Sequence, residues 1–509
     1  MLLAPLKRSS TGPALPIAAA ICLLFVVLLV RLSWTGHVES DDVFYAAAAE
    51  GWVWHFPYLA HTHWGLRHTI VLPMALAFRL FGQTEAALEA PMLLYYAALL
   101  VLVFGCVRRV SGAQTAVLAT AITAAVPAIA FEASIVVDDL PEAFFVMASA
   151  WAFLAATERG DRRLFVLSGA VAGLGFLTRE TTGTLLVFYA ILFLFDYGGD
   201  RLAYVWMGGG FLLIVGADVA ALGWASGDPL YRLHVSLSKV TQVVGSRGSK
   251  GFEATENLDK PRWLLPLLIT FLHQRIGLLF WLAVPATAVL AVRGTDSPQR
   301  RMIRLLGGLA LVWFLVLGYA VPSRLYVLPR LQMVTAVCLC VVLAIALVRL
   351  FATGYRFLAV AAAAALLATD LLLIVAAQKN PLFGERALAG YVAEHPAEMY
   401  TDPGTELGAR WLLASAGLTD RVDVAPPPPG ALYFYDPTSR RGLPPDWPVQ
   451  APEPGWQLVA RFAEQPTLLA RTLHRSGVER MLPHGLAIKL DPPARVASVW
   501  RVPGGSPAG

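Results

Sequence analysis

The chain has 509 residues, of which 57% are hydrophobic and 15% are charged, and its mean hydropathy is +0.60. This composition is too apolar for an ordinary soluble protein and indicates a polytopic membrane protein. The formal net charge of +5 comes from basic residues that cluster in short loops between apolar runs, so it gives no reason to invoke nucleic acid as a partner.

Apolar runs long enough to cross a bilayer, roughly 17–25 residues each, recur along most of the chain. We predict about eleven spans, near 13–33, 86–107, 113–131, 140–157, 163–179, 181–196, 202–225, 264–292, 303–321, 326–349 and 356–377. The fifth and sixth are short and meet at Arg179, where half-buried helices or a broken pair are alternatives. The first run is interpreted as a retained span, because it is long and no small-residue cleavage site follows it.

Basic residues set the orientation of these spans. Eleven spans place the following on one side, the cytoplasm: Lys7, Arg8, Arg108, Arg109, Arg159, Arg162, Arg163, Arg201, Arg293, Arg300, Arg301, Arg304, Arg349 and Arg356. The outer face then receives the loop 34–85, the turn at Asp138-Asp139, the loop 226–263 and the C-terminal tail.

The first outer loop is predicted to contact the membrane. It holds the aromatic residues Trp52, Trp54, Tyr58 and Trp64, a type enriched at membrane interfaces. The stretch 66–81 is apolar with interspersed basic residues, which predicts an amphipathic helix in the interface plane, kinked or bounded by Pro73.

The tail differs in composition from the rest of the chain. From about 379 to 509 it is richer in proline and charge, and it has no apolar run of spanning length. The run 431–435 predicts a strand, and 406–418 and 465–476 predict helices. We therefore predict a membrane domain, 1–378, and a small extracytoplasmic α/β domain, 379–509.

Two acidic motifs lie on the predicted outer face. Asp41 and Asp42 follow the first span, and Asp138 and Asp139 come at the end of a later one. Carboxylates close to a bilayer are costly, which favours a functional role for both motifs. The alternative is that each pair is a solvated helix cap.

Arginines also lie on this face, where the positive-inside rule gives no reason for them, and the candidates among them are Arg67, Arg179, Arg324 and Arg330. The guanidinium fork binds two phosphate oxygens, so these residues are candidates for phosphate contacts. Alternatively, Arg324 and Arg330 snorkel to the interface, and Arg179 pairs with Glu180.

Other reactive side chains carry weaker signals. The spacing of His55, His61, His63 and His68 fits no strong metal template, so loop residues are favoured over a metal site. All four cysteines lie in apolar runs without metal spacing, which is typical of buried free thiols: Cys22, Cys106, Cys338 and Cys340.

Five motifs in order resemble those of a known family. They are Asp41-Asp42 with Tyr45, Arg79-Leu80-Phe81-Gly82, Asp139-Leu140-Pro141 with Phe144 and Phe145, the glycine-rich segment 169–182 with Arg179, and Arg324-Leu325-Tyr326-Val327-Leu328-Pro329. Over about 10–350 the chain resembles the GT-C glycosyltransferases of family 39, which are protein mannosyltransferase-like and aminoarabinose-transferase-like. It departs from them at Asp42, where glutamate is usual, and at 63–67, where a Pro-Pro-Leu element is frequent.

This resemblance implies an all-α polytopic GT-C fold that transfers a sugar, with inversion, from a polyprenyl-phosphate donor. The acceptor would be a lipid, glycan or protein of the envelope, at the outer face of a bacterial inner membrane. Asp41 would be the general base, with Asp42 and Asp139 as further catalytic residues. Asp139 would orient the acceptor or hold a divalent cation, Mg²⁺ or Mn²⁺, although the reaction does not require a metal. The expected substrate contacts are Tyr45, Arg67, Asp138, Arg179, Arg324, Tyr326 and Arg330.

Two other classes of protein remain as alternatives. A transporter or flippase of lipid-linked sugars usually shows internal repeats and ionisable residues within its spans. No repeat is evident and the acidic motifs lie at span ends, which favours the enzyme, but Asp218 and Asp370 lie within predicted spans. A non-catalytic assembly scaffold would predict that replacing Asp41 leaves glycan composition unchanged.

Overall fold

The computed structural model describes the greater part of the chain. The described residues are 14–197, 201–245, 262–292, 297–320, 329–378, 380–438, 451–483, 485, 487, 490–491 and 493–504. They form two compact units: the first takes its described residues from 14–34, 44–80 and 86–374, and the second takes its described residues from 35–43, 81–85 and 375–504.

Helices make up the membrane part of the chain. They are α1 (Ala14–Ser33), α2 (Asp41–Trp54), α3 (His68–Phe81), α4 (Glu85–Ser111), α5 (Ala113–Ala125), α6 (Pro127–Glu132), α7 (Asp139–Arg159), α8 (Arg162–Thr178), α9 (Gly183–Leu194), α10 (Arg201–Ser226), α11 (Tyr231–Gly245), α12 (Leu265–Leu272), α13 (Leu279–Val292), α14 (Pro298–Leu315), α15 (Met333–Ala352) and α16 (Arg356–Ala377). Single 3-10 turns precede α9, α12 and α15, and a π-helical turn, Val316–Ala320, extends α14.

Seven helical stretches of the described chain are long and apolar enough to cross a membrane. They are Pro16–Ser33, Glu85–Ser111, Asp139–Arg159, Arg201–Ser226, Pro298–Ala320, Pro329–Ala352 and Arg356–Ala377. Each of the eleven predicted spans contains helix, but two of them are interrupted. Pro127 begins α6 directly after α5, and residues 273–278 separate α12 from α13. The number of spans therefore stays a prediction.

Close helix contacts in this unit depend on glycine. A Cβ at Gly169 of α8 would lie 1.8 Å from the carbonyl oxygen of Met207, and one at Gly210 of α10 would lie 2.1 Å from that of Val166. Small residues let helix backbones approach in membranes, where van der Waals packing stabilises association. The glycines thus fix α8, which ends at the candidate site, against α10.

The predicted interfacial helix corresponds to α3. It continues through Pro73, and it buries Ile70, Met74 and Phe78 while Leu72 and Leu76 are exposed. Both faces of α3 are therefore largely apolar. The exposed leucines suit contact with lipid, as expected for a helix at the interface.

The second unit is a small α/β domain with added segments from the first outer loop. Its elements are α17 (Phe383–Glu394), β1 (Met399–Thr401), α18 (Pro403–Ser415), β2 (Val422–Asp423), β3 (Leu432–Tyr435), β4 (Gln457–Ala463), α19 (Leu468–Ser476) and β5 (Val496–Arg501). The strand order is β2-β1-β3-β5-β4; β1 is parallel to β2 and β3, whereas β5 is antiparallel to β3 and β4. Asp402 caps α18 by accepting hydrogen bonds from the backbone of Gly404 and Thr405.

The core of this unit lies between its helices and its sheet. Leu388 of α17, Leu413 of α18, Phe434 of β3 and Val499 of β5 are buried together there. Burial of such side chains stabilises the unit by about 1.5–3 kcal/mol each. The predicted strand and both predicted helices of the tail are present, and α17 and four of the strands are additional.

Candidate functional site

The second acidic motif lies at the start of α7, but the Asp138 carboxylate does not cap that helix. Asp138 is the N-cap residue, and its side chain makes no capping hydrogen bond. Its Oδ2 instead lies 2.9 Å from Nη1 of Arg67 and 3.2 Å from Nε of Arg179. The carboxylate therefore binds two guanidinium groups rather than the first turn of its own helix.

Arg179 brings the end of α8 to the same place. It follows Thr178 in an extended conformation, with φ −159° and ψ 134°, so its side chain leaves the helix. It donates a hydrogen bond to Asp139, and its Nη1 lies 3.7 Å from a carboxylate oxygen of Glu142. Arg179 thus pairs with three acids of α7 and its cap, rather than simply with its neighbour Glu180.

Two further arginines complete the cluster. Arg67, directly before α3, is buried and donates to the hydroxyl of Tyr45. Nε of Arg330 lies 3.5 Å from Oδ2 of Asp139, with 31% of the Arg330 side chain exposed. Six of the predicted site residues therefore lie together in the first unit: Tyr45, Arg67, Asp138, Asp139, Arg179 and Arg330. We call this set the arginine–aspartate cluster.

Several buried polar atoms of the cluster have no hydrogen-bond partner in the described part of the chain. They are Nε of Arg67 and both carboxylate oxygens of the adjacent Glu132. Nε of Arg330 and Oδ2 of Asp139 make no hydrogen bond among the described residues either, but they form an ion pair with each other at 3.5 Å. Buried polar groups are costly when they are unpaired. The cluster therefore suits a ligand that offers both acceptors and donors.

The cationic surroundings keep Asp138 ionised. Burial alone raises the pKa of its carboxyl group, but the guanidinium groups of Arg179 and Arg67 outweigh burial and lower the pKa to about 2. Asp138 is thus a fixed negative charge that holds the two arginines in place at any physiological pH.

Arg232, on α11, binds the two backbone segments that carry Arg67 and Arg179. Its guanidinium binds both carboxylate oxygens of Asp218, at 2.8 and 3.1 Å. It also donates to the backbone oxygens of Leu66, at 2.5 Å, and Leu177, at 3.4 Å. Leu66 directly precedes Arg67, and Leu177 lies two residues before Arg179. One side chain therefore ties together the two backbone segments that carry the cluster's arginines.

Additional contacts join the same two segments. Nδ1 of His68 lies 3.2 Å from Asp218, and the hydroxyls of Thr69 and Thr178 are 2.7 Å apart. Arg232 was not singled out from the sequence, although it lies in the predicted outer loop 226–263. The positive-inside argument that selected Arg67 and Arg179 applies to it equally.

The first acidic motif lies in the second unit, at the start of α2. Asp42 is fully buried and accepts hydrogen bonds from the backbone of Val38, at 2.7 Å, and Ser40, while its Oδ2 lies 2.6 Å from Nδ1 of His37. Asp42 is thus not a solvated cap. Asp41 is the first residue of α2 and is partly exposed.

The structure describes the four loop histidines but not two of the predicted site residues. Arg324 and Tyr326 lie outside the described residues. Of the four loop histidines, His61 lies 2.9 Å from the Tyr231 hydroxyl and His63 packs on the ring of Trp64. Where the chain is described, the one group with metal-ligand proximity is His474, Glu479 and Asp491, which contains none of the four.

The family resemblance implies, as one alternative, a divalent cation at Asp139. One oxygen of Asp139 accepts from Arg179 and the other lies near Arg330, while Asp138 pairs with Arg67 and Arg179. Guanidinium groups therefore occupy the positions where a cation would bind these carboxylates. The donor set therefore does not fit a divalent cation.

The family comparison falls on the segment that builds the arginine–aspartate cluster. Residues 68–222 match the model of the dolichyl-phosphate-mannose-protein mannosyltransferase family. This range contains Asp138, Asp139 and Arg179 and begins directly after Arg67. No curated protein sequence matches the chain.

The fold is similar to those of ArnT and of an archaeal oligosaccharyltransferase. The crystal structure of ArnT from Cupriavidus metallidurans bound to undecaprenyl phosphate matches with a TM-score of 0.55 and 13% identity, over 96% of this chain and 98% of that one. Its apo state gives 0.53 and 14%, over 95% and 97%. The apo oligosaccharyltransferase of Archaeoglobus fulgidus gives 0.51 and 15%, over 82% of this chain and 65% of its own.

These findings confirm the predicted resemblance and the predicted fold class. The chain is a multi-pass membrane protein with the GT-C fold and a small C-terminal α/β unit. The family match confirms the coarse functional prediction, a membrane glycosyltransferase.

Proposed function

We propose that the protein transfers a sugar from a polyprenyl-phosphate donor to a hydroxyl of an envelope acceptor, with inversion at the anomeric carbon. The reaction takes place at the periplasmic face of a bacterial inner membrane. The observation that carries this proposal is the arginine–aspartate cluster, in which guanidinium and carboxylate atoms make no hydrogen bond within the described part of the chain. A sugar phosphate suits both kinds of group. Its phosphate oxygens accept hydrogen bonds from guanidinium groups, and its hydroxyls donate hydrogen bonds to carboxylates.

The arginines suit a lipid phosphate as leaving group. Arg67, Arg179 and Arg330 come from three different segments. Ion pairs with Asp138 and Asp139 hold their guanidinium groups in place before the donor arrives. Preorganised cations stabilise negative charge that develops on the departing phosphate. The fold similarity to ArnT, solved with undecaprenyl phosphate, supports a polyprenyl carrier.

Asp41 is proposed as the general base. The acceptor oxygen attacks the anomeric carbon, the bond from that carbon to the phosphate oxygen breaks, and Asp41 takes the acceptor's proton while polyprenyl phosphate leaves. Asp41 and Tyr45 are four residues apart on α2, and residues at this spacing share a helix face. Tyr45 accepts a hydrogen bond from Arg67 within the arginine–aspartate cluster.

Asp42 and Asp139 are proposed to act beside this base. Asp42 fixes the first turn of α2 through its buried hydrogen bonds. Asp139, whose Oδ2 makes no hydrogen bond in the described part of the chain, accepts a hydroxyl of the sugar or acceptor. Arg324 and Tyr326 stay predicted substrate contacts. The proposed acceptors remain lipid, glycan and protein hydroxyls of the envelope.

The test uses full-length protein in nanodiscs, a panel of radiolabelled undecaprenyl-phosphate sugars and a solubilised bacterial envelope extract as the source of acceptor hydroxyls. We expect wild type to release sugar from one donor, and Asp41→Asn to bind that donor but lose turnover by at least about 100-fold. Glu50→Gln is the matched control, because Glu50 is an exposed acid on the same helix.

Either of two results would contradict the proposal. Full turnover by Asp41→Asn would remove Asp41 as the base. Failure of wild type to release sugar from every donor in a panel covering hexoses, pentoses and amino sugars would instead contradict the donor class and favour the transporter or scaffold.

A further inference from the structure

The segment that carries the first acidic motif belongs to the same compact unit as the C-terminal tail. Residues 35–43 group with 375–509, whereas the rest of α2 groups with the membrane helices. We propose that the C-terminal unit is part of the catalytic machinery: through Trp411 and Arg386 it holds His37, and His37 positions the acidic pair Asp41-Asp42. This inference rests on the proposed transfer reaction.

His37 is the centre of the local network. Its side chain is fully buried, with Nδ1 2.6 Å from Asp42 and Nε2 2.9 Å from Glu39. Asp42 also accepts from the backbone of Val38, so the loop closes on the start of α2. Glu39 has a positive φ of 52°, a conformation that persists in non-glycine residues when surrounding contacts over-determine it.

Two helices of the tail hold this loop. The ring of Trp411, on α18, lies 4.7 Å from the His37 ring, centroid to centroid. Arg386, on α17, donates to the backbone oxygen of His37 at 3.5 Å and to the carboxylate of Glu85 at 2.7 Å. The tail therefore contacts both the ring and the backbone of the residue that binds Asp42.

The charges around His37 favour its protonated form. Burial opposes protonation, but the carboxylates of Asp42 and Glu39 outweigh burial and raise the pKa of His37 to about 9. The other charged groups that face this network are Arg386, at the backbone oxygen, and Arg410, near Glu39. At neutral pH, His37 is thus a cation between two anions and donates from both ring nitrogens.

This arrangement gives the tail a role that the sequence did not assign. Asp41 is the first residue of α2, so the direction of its carboxylate depends on where that helix begins. The His37–Asp42 pair and the Asp42 backbone contacts fix that point. Loss of the tail's contacts is expected to shift Asp41 by a fraction of a helical turn, which is enough to impair a base without removing it.

The experiment compares variants of the full chain in nanodiscs. Trp411→Ala removes the contact with the His37 ring, and we expect kcat to fall about 10–100-fold while the KM for the undecaprenyl-phosphate sugar stays within about two-fold. Trp411→Phe retains a ring and should restore most of the rate. Leu407→Ala is the matched control on α18, because the Leu407 side chain is 38% exposed on the same helix.

Hydrogen exchange measured by mass spectrometry provides a readout that does not need turnover. Backbone amides of 35–45 should exchange faster in Trp411→Ala and in Arg386→Gln than in wild type, whereas peptides of α15 should be unchanged if the fold is intact. A purely structural role would instead lower activity in proportion to the fraction of unfolded protein.

The outcomes separate this inference from the proposed function. Unchanged exchange in 35–45, or faster exchange with an unchanged kcat, would overturn the positioning role while leaving the transfer reaction standing. A wild type without turnover would count against the proposed function and against this catalytic role together. Faster exchange with reduced kcat and an intact membrane domain would support both.

Discussion

Arg179 is the residue on which the arginine–aspartate cluster depends most. Its guanidinium pairs with Asp138 at 3.2 Å, with Asp139, and with Glu142 at 3.7 Å, and only 13% of its side chain is exposed. Arg179→Gln would leave these carboxylates buried with one cation fewer. Because removing one partner of a buried ion pair typically costs about 3–5 kcal/mol, we expect a loss of stability of that size.

A matched control comes from an exposed ion pair of the same chemistry. Arg109 lies 3.1 Å from Glu158, with 32% of the arginine side chain exposed. Exposed pairs contribute about 0–1 kcal/mol, so Arg109→Gln should leave stability nearly unchanged. The two variants are compared by thermal and denaturant unfolding in one detergent, together with binding of undecaprenyl phosphate.

A double variant tests whether the cause is the unpaired charge. Glu142→Gln in the Arg179→Gln background removes a carboxylate that was paired with Arg179 and should recover part of the lost stability. Arg179→Lys keeps the charge but loses the fork, so stability should recover further than phosphate binding. The reasoning would be refuted if Arg179→Gln unfolded like Arg109→Gln, or if the double variant were the least stable of all.

Three further predictions concern packing, support and pH. Gly169→Ala places a Cβ 1.8 Å from the Met207 carbonyl oxygen and should lower the free energy of unfolding by about 1–3 kcal/mol. Gly208→Ala, which has open space around its Cβ, should leave the free energy of unfolding unchanged in the same unfolding assay. Arg232→Gln frees the segments that carry the cluster's arginines and should weaken binding of undecaprenyl phosphate about ten-fold, measured by calorimetry; unchanged binding would contradict its supporting role. Since the pKa of His37 is raised from 6.5 to about 9 on folding, its pairing stabilises the protein fully below pH 6.5 and is lost as pH rises through about 9. Wild-type stability should thus fall by about 3 kcal/mol across this window, and His37→Gln should show a flatter profile.

The membrane helices were predictable because a bilayer imposes a length and a composition on each span. Eleven apolar runs were expected and each contains helix, with bounds close to those predicted for α1, α7, α10 and α16. The breaks were harder to predict. The run 264–292 is apolar enough for one span, yet it is interrupted at 273–278, where Gly277 adopts a positive φ of 64°. Hydropathy averages over a window and does not detect a single turn.

The buried charge at Asp218 was the sequence feature most favourable to a transporter. In the structure its two oxygens bind Arg232, and Nδ1 of His68 lies 3.2 Å from one of them. Its position is thus explained by support of the arginine–aspartate cluster, not by a path through the membrane. Asp370 is also buried, with no hydrogen-bond partner in the described residues, and it packs directly on Gly277.

Part of the candidate site was predictable because its charged residues lie close to the bilayer on the outer face, where membrane proteins have no general need of them. Acids and arginines on the outer face are unexpected there, and this argument selected Arg67, Asp138 and Arg179, which the structure brings together. It had no means to select His37, because a single histidine in a loop violates no rule. The partners of His37 are Trp411 and Arg386, more than three hundred residues away in the chain. Only the folded chain reveals that the tail and the acidic motif form one unit. The role of the tail therefore follows from these contacts and not from a sequence pattern.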